Sequence, residues 1–304
     1  MDDPVLTAGR AGRPVVFGEV LFDRFPDGSA VLGGAPFNVA WHLQAFGQDP
    51  LFISRVGDDP LGRSIRGAMT DQGMDTSGLQ LDSAHPTGTV DVSFVAGEPH
   101  YDIVEGRAWD FVSADAFPPL RDVALVYHGS LALRGAVTRQ AFRELRQRLP
   151  APRFVDVNLR SPWWDAATVL DLIDGAAWVK LNAAELAELD PRGDGSDRAA
   201  EAWRAAHALR LLILTRGAQG AHALAPDGSI GVSPEAASKV VDTVGAGDAF
   251  ASVFLLGILN GWSLDNTLHR AQDFASALVG VRGATVDDPA FYAGFATAWG
   301  LGEG

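Results

Sequence analysis

The chain has 304 residues, 47% of them hydrophobic, and a formal net charge of −14 at pH 7. That length and apolar content allow one large or two medium domains with a sizeable core and argue against global disorder. The absence of cysteine excludes disulfides, thiolate metal sites and a thiol nucleophile, while the acidic balance, with no basic stripe and no apolar run of spanning length, argues against nucleic-acid and anionic-membrane partners.

Residues 1–14 hold charges and glycines but no apolar signal-peptide core. They read as a flexible N-terminus of a chain expected in the cytoplasm. Val15 to Phe22 reads as a first buried strand with Asp23 at its end, and Phe25 to Gly34 as a loop. Ala35 to Phe46 has helical spacing closed by Gly47. Leu51 to Val56 reads as a strand and Leu61 to Gln72 as a helix. Thr87 to Val95 and His100 to Val104 form a hairpin around Gly97. Strands at Val123 to His128, Phe154 to Val157, Trp178 to Leu181 and Leu211 to Thr215 then alternate with helices at Val137 to Leu149, Ala183 to Leu189 and Ala199 to Ala208. That alternation predicts a mainly parallel sheet covered by helices on both faces. A hairpin-like edge follows around Pro226 to Gly228, and two helices, Asp248 to Asn260 and Leu264 to Val281, finish the chain. The strands within about 18–34 and 87–104 read as a small β lid on one large domain, 15–298, with a tail at 299–304.

The most informative stretch is Asp242-Thr243-Val244-Gly245-Ala246-Gly247-Asp248-Ala249-Phe250. A small-residue turn entering a helix presents unpaired backbone N–H groups and the positive end of the helix dipole, which suits phosphate. Asp248 in that place makes sense as the base that takes a proton from an attacking hydroxyl; the plain alternative is an acidic residue in a first helical turn. Gly33-Gly34-Ala35-Pro36-Phe37-Asn38 is either a close-approach site for a hydroxyl-rich ligand, with Asn38 as donor and acceptor, or an ordinary loop-to-helix junction. Asp23 is either a ligand for two sugar hydroxyls or a solvated loop carboxylate. Arg160, in Asp156-Val157-Asn158-Leu159-Arg160, is a phosphate clamp or a surface ion pair. Asn182 and Glu185 fit a water-mediated Mg²⁺ site and equally a capping box. Thr215-Arg216-Gly217-Ala218-Gln219-Gly220 follows a buried strand and suits a nucleotide, although it is not a Walker A loop. Lysine occurs only at Lys180 and Lys239, and no role is read from either. The histidines lack metal-ligand spacing, and Ser130 and Ser161 lack a nucleophile elbow.

Together these motifs, in this order, resemble the ribokinase/PfkB family of carbohydrate kinases from about Val15 to about Phe295. The resemblance implies a ribokinase-like three-layer α/β/α core with a β-sheet lid, ATP and Mg²⁺ as cofactors, and phosphorylation of a sugar hydroxymethyl group. It implies Asp248 as base, Gly245, Ala246 and Gly247 as anion hole, and Arg160 near the transferred phosphate. Asp23, Gly33, Gly34 and Asn38 would hold the sugar. Asn182, Glu185, Thr215, Gly217 and Gly220 would serve ATP, with Glu185 toward Mg²⁺. Asp242, Val244 and the Arg282-Gly283-Ala284 turn would frame a monovalent-cation site, such as for K⁺. The Gly-Gly-Ala-Pro stretch looks most like fructokinases, with kinases for 2-keto-3-deoxygluconate or nucleosides, and a non-catalytic sugar sensor, as alternatives. The segment Tyr101 to Asp110 departs from the usual fructokinase pattern. Arg107 there either enters the pocket, favouring an acidic substrate, or lies on the lid surface. A homodimer through the lid is the expected assembly.

Overall fold

The first apolar run breaks in two at Gly18. In the computed structural model, which describes residues 5–9, 11–95, 98–191, 193–234 and 240–301, β1 (Arg13–Phe17) and β2 (Leu21–Arg24) belong to different sheets. The turn around Gly97, Lys239 and residues 302–304 lie outside the described residues. A Cβ at Gly18 would overlap the ring of Pro36, so the chain can turn there only as glycine. One strand was expected over Val15 to Phe22; the structure has two, because the backbone leaves the large sheet at this point.

The remaining elements follow in order. They are β3 (Ala30–Gly33), α1 (Ala35–Ala45), β4 (Leu51–Gly57), α2 (Pro60–Asp71), β5 (Leu79–Asp82), β6 (Gly88–Val95) and β7 (Glu98–Ile103). Then come β8 (Val123–His128), α3 (Ala136–Arg148), β9 (Arg153–Asp156), α4 (Ala166–Ile173), β10 (Trp178–Asn182), α5 (Ala183–Leu189), α6 (Asp197–Ala206) and β11 (Leu211–Thr215). The antiparallel β12 (Ala221–Ala225) and β13 (Gly228–Val232) precede α7 (Ala246–Leu259), α8 (Leu264–Leu278) and α9 (Pro289–Trp299). The large sheet has nine strands in the order β13-β12-β11-β10-β9-β8-β1-β4-β5, mostly parallel, and the small one four, β3-β2-β6-β7. The expected α/β architecture with a separate small sheet is what forms.

The chain divides into two compact units. The first comprises 1–14, 122–131 and 151–284 and holds β8 to β13 with α4 to α8. Its core is the apolar run of β9, β10 and β11 packed on α4, α5 and α6 through Val155, Val179, Leu181, Ile173, Leu186 and Trp203. Residues Ala249 to Ile258 of α7 are buried on every face, the pattern of a helix inside a core rather than on its surface. Gly257 lets α8 approach, since a Cβ there would overlap Thr267. Two residues of the segment expected as a flexible N-terminus are held in place. Leu6 is 1% exposed, and the Trp178 Nε1 donates to the Val5 carbonyl at 2.8 Å.

The second unit comprises 15–121, 132–150 and 285–304. Its α1 is likewise buried from Pro36 to Leu43. Here α9, absent from the sequence reading, packs Tyr292 and Trp299 against Phe46, with the Tyr292 hydroxyl 3.0 Å from His42 Nδ1. Strand β5, also unforeseen, ends on Asp82, which is 2% exposed. Its carboxylate accepts from the Ala84 and His85 N–H groups at 2.8 and 3.0 Å and meets Arg55 Nε at 2.8 Å. Among the described residues no helix is long and apolar enough to cross a membrane.

Burial alone would raise the Asp82 pKa. The Ala84 and His85 hydrogen bonds and the Arg55 charge outweigh it and bring the pKa from 3.8 down to about 2. A depressed carboxylate pKa contributes stability that is present above the unfolded value and lost as pH falls through the folded one. The stability gap between wild type and Asp82→Asn is therefore expected to narrow by about 2 kcal/mol between about pH 6 and about pH 2. Urea unfolding of both proteins at the two pH values measures it, and an unchanged gap contradicts it.

Candidate active site

In the first unit the parallel register delivers the chemistry to one edge. Asp156 pairs with Lys180 across β9 and β10, and Asn182 pairs with Thr215 across β10 and β11. These residues sit at the carboxyl ends of adjacent parallel strands, where open α/β sheets place their ligands.

Asn182 caps α5. Its Oδ1 accepts from the Glu185 N–H at 2.9 Å, and Glu185 Oε2 accepts from the Asn182 N–H at 2.8 Å. This is the reciprocal capping box that the spacing allowed. Glu185 does more than cap, for its Oε1 accepts from the Leu159 N–H at 2.8 Å and so ties α5 to the turn after β9. Burial raises its pKa, and the nearby Asp156 charge adds to that effect against the Asn182 and Leu159 hydrogen bonds and Lys180. Arg160, at the end of that turn, is exposed, and its Nη1 donates to the Leu159 carbonyl at 3.1 Å. Asn182 is exposed at the rim.

The Thr215 to Gly220 stretch forms a tight turn. Gly217 and Gly220 have φ of 56° and 89°, and the Arg216 N–H donates to the Gly220 carbonyl at 2.8 Å. Arg216 itself pairs with Asp197 at 2.6 Å, which leaves the glycine backbone as the surface offered to a ligand.

The Gly245 to Asp248 turn opens α7. Gly245 is its N-cap, with φ of 79°, and no side chain caps the helix. Six of the nine helices among the described residues, by contrast, begin on an Asp, Asn or Ser whose side chain closes the first turn. Among the described residues no side chain caps the first N–H groups of α7, although the Ala246 N–H reaches the Thr243 carbonyl at 3.4 Å; an anion site needs such uncapped donors. A Cβ at Gly245 would lie 2.5 Å from Ala284, so position 245 demands glycine for both conformation and space. Asp248 is half-buried in the first turn. Asp242 fastens the approach to it: Oδ1 accepts from the Val244 N–H at 3.0 Å and Oδ2 from the Gly283 N–H at 3.1 Å. The 282–284 turn expected beside Asp242 is therefore brought to it. Val244 is 50% exposed.

Sequence reasoning missed Lys180 and gave Asp156 no task. Lys180 is 7% exposed, and its Nζ lies 2.9 Å from both Asp156 oxygens. Tyr127 also donates to Asp156 Oδ2, at 3.2 Å. Burial alone would depress the Lys180 pKa; the Asp156, Glu185 and Asp248 charges outweigh it and raise it, so the ammonium stays charged. The one signal was a lysine inside an otherwise apolar strand.

The second unit holds the other predicted residues. Asp23, expected at the end of a strand, lies within β2 of the small sheet, paired with Val31 of β3 and Val90 of β6. Its Oδ2 faces Gly33, where a Cβ would come within 3.3 Å. Gly34 caps α1 with φ of 111° and no side-chain cap, repeating the arrangement of Gly245, and a Cβ there would lie 2.7 Å from the Glu19 carbonyl. Asn38, one turn on, is 4% exposed. The Arg107 N–H donates to Asp110 Oδ2 at 3.1 Å, and Asp110 is gripped by Arg134 at 2.9 and 3.0 Å. The Arg107 Nε is buried and meets no hydrogen-bond acceptor among the described residues.

Residues 16–290 match the pfkB family of carbohydrate kinases. A fructokinase of Klebsiella pneumoniae is 33% identical over 280 residues, covering 88% of this chain and 91% of that one. The solved fructokinase of Vibrio cholerae O395 with fructose, ADP and calcium superposes with a TM-score of 0.79 at 27% identity, over 93% of this chain and 98% of that one. A variant of the latter has been solved with fructose, ADP and potassium. The aminoimidazole riboside kinase of Salmonella enterica, with aminoimidazole riboside and an ATP analog, gives the same TM-score at 27% identity over 94% and 99%. These matches along nearly the whole length make the chain a member of the pfkB family of carbohydrate kinases.

Proposed function

We propose that the protein phosphorylates a hydroxymethyl group of a sugar with ATP, and that fructose is the substrate. The observation that carries this reading is the Gly245-capped start of α7, with uncapped N–H groups and Asp248 in its first turn. Asp248 takes the proton of the primary hydroxyl; its oxygen attacks the γ-phosphorus, and the bond to the bridging oxygen breaks to release ADP. The N–H groups of Gly245, Ala246 and Gly247 meet the negative charge on the transferring group. Asp23, Gly33, Gly34 and Asn38 hold the sugar, and Arg160 faces the transferred phosphate. Asn182, Thr215, Gly217 and Gly220 serve the nucleotide.

Glu185 fits a role toward Mg²⁺ through water. Each of its oxygens accepts one N–H group and keeps a lone pair for a water. When bound, Mg²⁺ offsets charge on the phosphates. A monovalent cation such as K⁺ is assigned to backbone carbonyls around Asp242, Val244 and the 282–284 turn, with the Asp242 side chain holding the loop. The exposed Val31 and Tyr101 of the small sheet support a homodimer through that sheet, and the protein is assigned to the cytoplasm.

A second reading, a sugar-acid kinase, is favoured by Arg107, whose buried Nε lacks an acceptor that a ligand carboxylate would supply. ADP release from Mg-ATP with fructose, ribose, 2-keto-3-deoxygluconate and aminoimidazole riboside separates the two. Turnover highest on fructose and unchanged in Arg107→Gln supports the first reading. Turnover on the acid that collapses in Arg107→Gln replaces it with the second. Calorimetric sugar binding without turnover on any sugar points to a binding-only protein.

Two variants test the turn. Asp248→Asn should lower kcat by roughly two orders of magnitude or more while sugar affinity by calorimetry stays within about twofold; wild-type turnover removes Asp248 from the base role. Gly245→Ala meets both a positive φ and Ala284, and should cost about 1–3 kcal/mol of stability with loss of turnover. Thermal melts and the same ADP assay read both, and an active variant of unchanged melting temperature contradicts the assignment.

A further inference from the structure

The proposed reaction uses Asp248 and Glu185 but leaves Lys180 and Asp156 without a task. The pair is buried, bidentate and seated in register across β9 and β10. Burying two charges carries a heavy desolvation cost, and an apolar pair of similar volume often stabilises a fold as well or better. Stability is therefore a weak reason for an ammonium at this place.

Its location supplies a stronger one. A Cβ built on Gly247 would lie 3.6 Å from Lys180 Nζ, so the ammonium packs beneath the first turn of α7. The acidic groups around it are Asp156 from β9, Glu185 from α5 and Asp248 from α7, with Tyr127 of β8 reaching it through Asp156. Asp156 grips it with both oxygens, and at 7% exposure it remains behind the turn. A charge held in this way, out of water, needs no reorganisation when charge develops nearby.

We infer that Lys180 is a positioning residue for phosphoryl transfer: clamped by Asp156 beneath Gly247, it keeps fixed positive charge behind the turn that receives the transferring group. The inference rests on the reading of that turn as an anion hole with Asp248 as base. It assigns Asp156 the task of holding the ammonium in place. It also gives Gly247 a reason distinct from that of Gly245. Position 247 is not sterically closed, and its missing side chain leaves only backbone between the ammonium and the anion.

The test compares wild type, Lys180→Met, Lys180→Met/Asp156→Asn and Asp248→Asn in the full chain. The double variant removes both charges together and retains an acceptor for Tyr127, so it folds even where Lys180→Met, with its stranded carboxylate, does not. The readouts are the urea midpoint, kcat, and KM for ATP and for the best sugar. The expected result for the double variant is a midpoint near wild type, both KM values within about twofold, and kcat lower by roughly tenfold or more. Wild-type kcat in the double variant overturns the inference, because a purely structural pair is rescued when both charges leave. A fall in kcat matched by a rise in both KM values also overturns it, since that is general damage to the site. Asp248→Asn reports separately on the underlying reading: wild-type turnover there removes the base, whereas lost turnover beside a fully active double variant removes Lys180 alone.

Discussion

Parallel pairing of β9, β10 and β11 sets the level at which Asp156, Lys180, Asn182 and Thr215 emerge. Successive parallel strands carry Asp156 beside Lys180 and Asn182 beside Thr215. A slip of one residue would turn Lys180 to the opposite face of the sheet and leave Asp156 buried without its cation. The apolar sides of the same strands prevent the slip, because Val155, Val179 and Leu181 must enter the core under α4, α5 and α6. Packing thus fixes the electrostatics. Glu185 then joins two of the outgoing segments, the turn after β9 and the start of α5, into one piece.

The two helices that the sequence motifs pick out share a construction. Both α1 and α7 are buried all round, both begin on a glycine with positive φ, and neither has a side-chain cap. A buried helix obtains its stability from packing and can leave its N-terminal groups uncapped at modest cost. A surface helix depends more on its cap, and α2, α5, α6 and α8 each have one. The motif residues are therefore economical in a physical sense: small where the backbone must be approached, apolar directly behind.

Much of this was legible in the residues. The alternation of strands and helices, the α5 capping box and the α7 turn all follow local rules of spacing and backbone freedom. What escaped the sequence has identifiable causes. Gly18 ends a strand where Pro36 packs against it, a contact between residues distant in the chain. Strand β5 is four residues long with Leu81 on its outer side, too short to show a period. Helices α4 and α9 follow Asp165 and Asp288, which cap them, and α9 has Pro289 at its first position. Lys180 was invisible for a deeper reason. A single lysine in an apolar strand acquires meaning only from the aspartate that the neighbouring strand sets beside it.

Gly245 and Ala284 stand far apart in the chain yet occupy one space, with room for a single methyl group between them. The second position forms the wall against which the turn is set. Drift at 284 is thereby bounded by chemistry carried out elsewhere. A genetic screen for lost activity would return bulky replacements there as readily as changes at the turn itself, and their common origin would be the volume they share.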